Sequence, residues 1–229
     1  MNIPLSLSPD THVGILGGTG NEGRALALRF AASGWSVSIG SRDRTRAAQT
    51  ASEIAQSVPG ADVHGLTNND VAGRGGLVFL CVPYDNAAAT LHGCRELWRP
   101  DSVVVDTTVP LVFDRQRGAI LQTVEGNSGS EVLARELPEG IPLVAAFKTI
   151  PAHILGDVHE PLDCDVIVCS DHPEAKARVM KAAMRFNGLR AVDGGPLRHA
   201  RALEAMCCLV IGINRRHKAK GGRFRVVGL

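Results

Sequence analysis

The chain has 229 residues, 45% of them apolar, and carries a formal net charge of +2 at pH 7. That length suits one α/β domain with a modest addition, and the small charge argues against nucleic acid as the principal partner. No apolar run reaches the length of a membrane span, so we expect no membrane partner.

The N-terminal segment and the cysteines indicate a cytoplasmic protein. Residues 1–10 lack the basic start and long apolar core of a secretory signal, and we expect a short frayed leader there. The six cysteines form no CxxC pair and have no histidine at zinc-ligand spacing, so we expect reduced thiols and no metal site. They are Cys81, Cys94, Cys164, Cys169, Cys207 and Cys208.

The segment from Thr11 to Gly23 predicts a dinucleotide-binding turn. A buried strand breaks into a glycine turn with Gly18, Gly20 and Gly23, and an alanine- and leucine-rich helix follows directly. At this spacing the first glycine allows the tight turn, the second lets backbone approach a pyrophosphate, and the third lets the helix pack on the strand. A plain βα turn without a ligand has similar glycines, but the flanking strand and helix favour a phosphate site at the helix N-terminus.

The end of the second predicted strand, Trp35–Gly40, favours NADP over NAD. NAD-binding folds usually place an acidic residue at this strand end, whereas an arginine there accommodates a 2′-phosphate. This chain has Ser41 and Arg42 at the strand end and Arg46 shortly after, and guanidinium groups hold phosphate in a fixed fork. Asp43 follows the arginine instead of replacing it, so we predict that it caps the next helix.

The rest of the chain alternates predicted strands with predicted helices, which is typical of a parallel sheet covered on both faces. The strands are predicted at Ala61–Leu66, Leu77–Val82, Ser102–Asp106, Pro142–Ala146, Asp165–Cys169 and Leu189–Val192. The helices are predicted at Thr45–Ser57, Asn86–Trp98, Ser130–Leu137, Pro173–Phe186 and Pro196–Ile213. A glycine-rich basic tail follows the last helix.

Three successive predicted strand ends carry proline turns, at Pro83, Pro110 and Pro151. Ligands of open α/β sheets bind beyond the carboxyl ends of the strands, and proline stiffens a loop there while removing a donor. Such turns are also ordinary loop chemistry, yet three of them on successive strand ends indicate a shaped site.

Acid–base groups near these strand ends are few, so we assign no catalytic residue. The candidates are Tyr84, Asp106, Lys148 and His153. A surface or anion-contact role is the simpler interpretation of Lys148, and a structural role is the simpler one for His153 and Asp106.

These residues resemble the F420-dependent NADP reductases, which pass a hydride between NADPH and the deazaflavin coenzyme F420. The resemblance runs from Val13 to about Ile213, and it is most specific in the motifs outside the glycine turn. The segments that carry it are Leu16–Arg29, Ile39–Arg42, Thr149–Ala152 and Asp193–Leu197, the last followed by the apolar helix with Arg201 and Glu204.

The resemblance implies an α/β fold, with a Rossmann-type doubly wound parallel sheet and a small C-terminal helical or α+β domain. We place the NADP-binding domain at residues 1–148 and the substrate and dimerisation domain at residues 149–229. The resemblance further implies that the deazaflavin coenzyme is held in the cleft between these two domains. Lys148 stands where the best-known members carry histidine or asparagine.

The resemblance also implies which residues hold the two cofactors, NADP(H) and coenzyme F420. The glycine-turn positions are Gly18, Thr19, Gly20, Asn21, Glu22 and Gly23. The positions that the family uses for the 2′-phosphate are Thr19, Ser41, Arg42 and Arg46. The positions near nicotinamide and deazaflavin are Val82, Pro83, Tyr84, Thr108, Val109, Lys148, Ile150 and Ala152.

Several alternatives remain open at this point. An NADP-dependent reductase of a flavin, a ferric chelate or a small carbonyl compound fits the same residues. A non-catalytic NADP-sensing module does too, and its strand-end cleft is expected to be filled by side chains. The basic tail is either a solvated end or a contact for the anionic coenzyme, and the apolar helix from Ala202 to Ile213 favours a homodimer.

Overall fold

The computed structural model describes residues 12–229, so the expected leader at residues 1–10 lies outside the described residues. The strands are β1 (His12–Leu16), β2 (Ser36–Ser41), β3 (Val63–Thr67), β4 (Leu77–Leu80), β5 (Val103–Asp106), β6 (Leu111–Asp114), β7 (Gly118–Leu121), β8 (Leu143–Ala145), β9 (Cys164–Val168) and β10 (Leu189–Asp193). The helices are α1 (Asn21–Ala32), α2 (Arg44–Ser57), α3 (Asn68–Ala72), α4 (Tyr84–Gly93), α5 (Gly129–Ala134), α6 (Ala152–Leu155), α7 (Pro173–Ala183) and α8 (Ala200–Arg216), with short 3₁₀ turns at Arg95–Leu97 and Leu197–His199.

Six strands form a parallel sheet in the order β3-β2-β1-β4-β5-β8. Gly14 of β1 pairs with Ser38 on one side and with Val78 on the other. The strand order therefore reverses between β1 and β4, and the carboxyl ends of these two strands open the crevice in which doubly wound sheets bind their ligands. The Rossmann-type fold predicted from the sequence is confirmed.

Two smaller pairs of strands flank this sheet. β9 and β10 are parallel to each other, and an antiparallel bridge between Ala145 and Cys169 joins them to the edge strand β8. β6 and β7 form an antiparallel hairpin that the sequence did not predict. The residues of β6 after Leu111 are all exposed, so the strand has no buried apolar face to reveal it.

The core runs without interruption from the main sheet into the C-terminal segment. Phe30 of α1 packs edge-on against Phe186 with 4.7 Å between ring centroids, and Phe79 and Phe147 extend the same aromatic cluster. Arg29 is buried and donates to carbonyl oxygens in the segment from Ile154 to Glu160. These contacts fix the C-terminal segment against α1, and the domain boundary at residue 148 stays a prediction.

Residues 12–229 contain neither a membrane-spanning helix nor a cluster of metal-ligand side chains. No helix there is long and apolar enough to cross a membrane. No group of three or more histidine, cysteine, aspartate or glutamate side chains in that part of the chain could hold a metal ion.

Candidate functional site

Two adjoining clefts lie at the carboxyl ends of the central strands. The first has a volume of about 760 Å³ and the second about 400 Å³. Gly20, Cys81, Val82 and Pro83 line both of them. The glycine turn after β1 and the turn after β4 therefore form the boundary across which a ligand in one cleft would meet a ligand in the other.

The glycine turn is tighter than its sequence indicates. Gly17 adopts a left-handed φ of +74°, and a Cβ there would lie 2.6 Å from Val82 Cγ1. Gly17, and not Gly18 as expected, thus provides the sharp turn. A Cβ on Gly18 would lie 2.8 Å from Ile39 Cγ2, and one on Gly23 would lie 2.7 Å from Gly18 Cα. Gly23 therefore has its predicted role, because only hydrogen at this position lets α1 pack on the turn.

Gly20 leaves its side of the turn open. Its φ is −79°, and the nearest atom to a Cβ there would be Gly17 O at 3.4 Å. No side chain in residues 12–229 caps α1, so the first amide N–H groups of this helix are available to an anion. Thr19 and Gly20 line the first cleft beside them. This arrangement is the one by which a Rossmann turn holds a pyrophosphate.

The end of β2 presents two unpaired arginines to the first cleft. Arg42 and Arg46 line it with exposed side chains, and neither forms an ion pair within the described part of the chain. Asp43 instead caps α2, accepting from the amides of Thr45 at 2.8 Å and Arg46 at 3.3 Å, which confirms the predicted cap. Buried Ser41 lines the same cleft. The cleft therefore offers a hydroxyl and two guanidinium groups, and the carboxylate of Asp43, which also lines it, is engaged in capping α2.

The second cleft contains most of the residues predicted to lie near nicotinamide and deazaflavin. In addition to the shared boundary it is lined by Asn21, Glu22, Tyr84, Thr107, Thr108, Val109, Leu111, Phe147, Lys148, Ile150 and Cys207. Of the seventeen predicted site residues, Gly18, Gly23 and Ala152 line neither cleft. The sequence analysis did not predict Thr107, Leu111 and Phe147, which adjoin its motifs. It also did not predict Cys81 and Cys207, which it interpreted only as reduced thiols.

Lys148 is buried in an ion pair at the edge of the second cleft. Its Nζ lies 2.7 Å from Asp106 Oδ2 and also donates to the carbonyl of Thr108. Neither side chain of the pair has solvent-exposed surface. Asp106 accepts further hydrogen bonds from Ser130 Oγ at 2.6 Å and from Thr108 Oγ1 at 2.7 Å. The ammonium group thus fixes the loop after β5, which contributes Thr108 and Val109 to the cleft wall.

A second buried carboxylate ties α8 to the same region. Glu204 accepts from the amides of Gly129 and Ser130 at 3.2 Å each, and Arg201 lies 3.7 Å from it. Burial raises the pKa of Glu204, while Lys148 and the two amides oppose that rise. The start of α5 is therefore held between Asp106 and Glu204. The cleft wall at β5 and the helix α8 are one connected polar network.

Four ionisable groups lining the second cleft, two thiols, a phenol and a carboxyl, favour their neutral forms. Burial raises the pKa of Cys207 to about 12 and raises that of Cys81 further. The pKa of Tyr84 is also raised by burial, and that of Glu22 is raised to about 8. Both thiols are therefore protonated at neutral pH and are poor nucleophiles.

The basic tail packs on the small sheet of β9 and β10. The amide of Asp165 donates to Phe224 O at 2.9 Å, and the amide of Val226 donates to the Asp165 carboxylate at 2.6 Å. Arg190 of β10 donates to both oxygens of the same carboxylate. The residues that line the two clefts include none beyond Cys207. Most of residues 221–226 are thus half-buried against this sheet, whereas residues 215–220 and 227–229 are exposed, and a contact of the tail with an anionic coenzyme stays a prediction.

A doubly wound sheet with an uncapped helix at its glycine turn and two unpaired arginines after its second strand defines a dinucleotide-binding protein. Comparison with known proteins gives the family. Residues 12–110 match the family model described as "NADP oxidoreductase coenzyme F420-dependent". The chain belongs to the F420-dependent NADP reductase family, because relatives of that name align with it at more than 30% identity over nearly their whole length.

Two of these relatives come from methanogenic archaea. The F420-dependent NADP reductase of Methanothermobacter thermautotrophicus is 38% identical over 95% of this chain and 95% of its own length. That of Methanocaldococcus jannaschii is 35% identical over 95% of this chain and 98% of its own. A solved structure from Arthrobacter sp. FB24, assigned as an F420-dependent NADP reductase, superposes with a TM-score of 0.79 at 26% identity. It covers 94% of this chain and 98% of its own.

Proposed function

We propose that this chain transfers a hydride between NADP(H) and the deazaflavin coenzyme F420. The observation that carries the proposal is the pair of adjoining clefts with Gly20, Val82 and Pro83 on their common boundary. They occur in a chain whose relatives over 95% of its length are F420-dependent NADP reductases. Two ring systems that exchange a hydride must lie in contact, and two clefts with a common boundary meet that need.

The first cleft fits NADP(H). Its open turn at Gly20 lets backbone approach the pyrophosphate, and the uncapped start of α1 offers amide donors to it. We assign the 2′-phosphate to Arg42 and Arg46, which line this cleft together with Ser41. A 2′-phosphate bound by two guanidinium groups is held by charge-assisted hydrogen bonds, which are about twice as strong as neutral ones.

The second cleft fits a planar ring system against the nicotinamide. Val82, Pro83, Phe147 and Ile150 give it apolar walls, and such walls exclude water and orient flat rings. When both cofactors are bound, they supply the redox chemistry themselves through their ring carbons. The chain then needs no nucleophile, which agrees with the protonated thiols of Cys81 and Cys207.

The alternative functions differ in how they use the second cleft. A non-catalytic NADP sensor was expected to have this cleft filled by side chains, but it is open, with a volume of about 400 Å³. A reductase of free flavins, ferric chelates or small carbonyl compounds would use the same clefts. The family relationship over the whole chain favours the deazaflavin.

The test is anaerobic mixing of the purified protein with NADPH and coenzyme F420. We expect loss of the oxidised deazaflavin absorbance in step with NADPH oxidation, and much slower reaction when FMN, FAD or riboflavin replaces the deazaflavin. Equal or faster turnover with free flavins would overturn the choice of the second substrate. Binding of NADPH without turnover of any acceptor would overturn the enzymatic function itself.

We also propose a homodimer formed through α8. Its outer face carries Ala202, Ala205, Leu209 and Ile213 at helical spacing, with Leu209 52% exposed and Ile213 38% exposed. An apolar stripe of this kind supports an interface between copies of the chain. Sedimentation should give a dimer for the wild type and a monomer for Leu209→Lys, whereas a monomeric wild type would contradict the proposal.

We further propose that the protein is cytoplasmic. All six cysteines are free thiols in the structure, which supports a reducing compartment. Fractionation of the native host should recover the protein with cytoplasmic marker enzymes.

A further inference from the structure

Glu22 is a half-buried acid at the junction of the two clefts. It lies in the first turn of α1, two residues after Gly20, and its side chain lines the second cleft. Its Oε1 is shielded from solvent and has no hydrogen-bond partner among the residues that the structure describes. A buried carboxyl oxygen without a partner is costly. Its position therefore indicates a partner that arrives with a ligand.

The surroundings of Glu22 keep it neutral. Removal from water raises its pKa to about 8. The titratable groups that face it are Cys81 at the end of β4 and Cys207 on α8, and Glu22 raises the pKa of both thiols. Lys148, the cation of this cleft, is engaged by Asp106. Within residues 12–229 no cation forms an ion pair with Glu22.

We propose that Glu22 binds the dinucleotide as the neutral acid, donating a hydrogen bond to it where the glycine turn opens into the second cleft. The inference rests on the proposed function, since it takes NADP(H) as the ligand at the start of α1. An anion at this helix end repels a carboxylate but accepts a hydrogen bond from a carboxylic acid. Bound dinucleotide therefore holds the Glu22 proton more tightly than the free protein does.

Because NADPH binding and protonation of Glu22 are coupled, this contact predicts the direction in which the affinity for NADPH changes with pH. Because the pKa of Glu22 is higher in the complex than in the free protein, binding takes up a proton once the pH exceeds the free value of about 8. Above that pH the affinity for NADPH falls, by up to tenfold per pH unit, until the pKa of the complex is reached. At neutral pH the acid is already protonated and the affinity is insensitive to pH.

The experiment is a fluorescence titration of NADPH into the full-length protein between about pH 7 and 9.5. The 2′-phosphate has its second pKa near 6 and is ionised throughout this range. We expect the wild-type Kd to rise about fivefold from pH 8 to 9, because half of the free protein already carries the ionised acid at pH 8. The Glu22→Gln variant keeps a donor but cannot ionise, so its Kd should stay within about threefold of the wild-type value at pH 7 and remain flat.

Glu174→Gln is the matched control, because Glu174 occupies the first turn of α7 and lines neither cleft. It should retain the wild-type pH dependence. A flat wild-type profile, or a Glu22→Gln variant that keeps the slope, would overturn the inference. If the Gln variant does not fold by circular dichroism, Glu22→Leu is titrated instead, and it too should lose the slope. Absence of NADPH binding at every pH would instead overturn the proposed function.

Discussion

Lys148 Nζ lies 2.7 Å from Asp106 Oδ2, and both side chains are completely buried beside the second cleft. The pair joins the end of β5 to the loop after β8 and is completed by Ser130 and the carbonyl of Thr108. The position of the pair decides whether Lys148 has a structural role or acts as a catalytic base. An ammonium group with this many partners holds the cleft wall and is not a freely accessible base.

Replacing Lys148 should therefore harm stability more than chemistry. Lys148→Met leaves Asp106 buried without its cation, which typically costs about 3–5 kcal/mol. We expect a loss of that order in urea unfolding, and a kcat reduced less than roughly tenfold in the protein that remains folded, since a positioned acid or base contributes about 10²- to 10⁴-fold.

The matched control for this change is Lys176→Met. Lys176 also lies close to a carboxylate, with its Nζ 2.6 Å from Asp193 Oδ1, but the Asp193 side chain is 55% exposed. Solvent screens this pair on the Asp193 side, which weakens an ion pair, so this variant should lose much less stability than Lys148→Met. A folded Lys148→Met enzyme that binds both cofactors normally but loses three orders of magnitude in kcat would contradict the structural role.

Arg42→Ala should weaken NADPH binding by about ten- to a hundredfold, because a charge-assisted contact contributes roughly 1.5–3 kcal/mol. Affinity for NADH should barely change, since NADH has no 2′-phosphate. Arg44→Ala is the neighbouring control: Arg44 does not line the first cleft and lies 3.9 Å from Asp70. Calorimetric titration of both nucleotides measures the effect, and equal affinity of the wild type for the two would contradict the assignment.

Valine substitutions in the glycine turn should separate binding from folding. Gly20 has a φ of −79° and no heavy atom closer than 3.4 Å to a Cβ, so Gly20→Val should fold normally. Its branched side chain would occupy the space where backbone must approach the pyrophosphate, and NADPH binding should be lost. Gly17 has a φ of +74° and would place its Cβ 2.6 Å from Val82. Gly17→Val should lower the melting temperature as well as abolish binding.

Circular dichroism and NADPH fluorescence test both variants on the same samples. A Gly20→Val protein with normal affinity would show that the pyrophosphate lies elsewhere. A Gly17→Val protein as stable as the wild type would contradict the strain at that turn.

The contribution of Asp165 to the free energy of unfolding should depend on pH. Hydrogen bonds from Arg190, and also from the Val226 amide, hold the pKa of this carboxyl below its usual value. A depressed carboxyl pKa contributes stability above the unfolded value and loses it as the pH falls through the folded one. The stability gap between wild type and Asp165→Asn should thus be complete near neutral pH and shrink below about pH 4.

Urea unfolding from pH 7 downward measures that gap. Asp163→Asn is the control, since Asp163 is two residues away and its pairing with Arg225 is exposed. The Asp163 variant should lie close to the wild type throughout. If the loss of stability caused by Asp165→Asn grew as the pH fell, the pKa of Asp165 would not be depressed in the folded protein, and the prediction would be wrong.

Much of the fold follows from local pattern. The sequence predicted the bounds of β3 and α2 to within two residues, and it predicted the cap of α2 at Asp43. Burial and capping depend on neighbours along the chain, which is why these features can be predicted from local pattern. The hairpin of β6 and β7 was missed for the same reason, since its four-residue strands, one exposed and one half-buried, have no such pattern. The single-turn helices α3 and α6 are also too short to show a helical period.

The sequence by itself determined the parallel sheet, the glycine turn and the arginines that favour NADP, because each is encoded within a few consecutive residues. Only the tertiary structure decided which distant groups meet. Lys148 and Asp106 are 42 residues apart and pair because β5 and β8 are neighbours in the sheet. Glu22 and Cys207 line one cleft because α8 returns to the start of α1. Hydrophobic periodicity specifies which face of an element is buried, but the partner of that face depends on the packing of the whole chain.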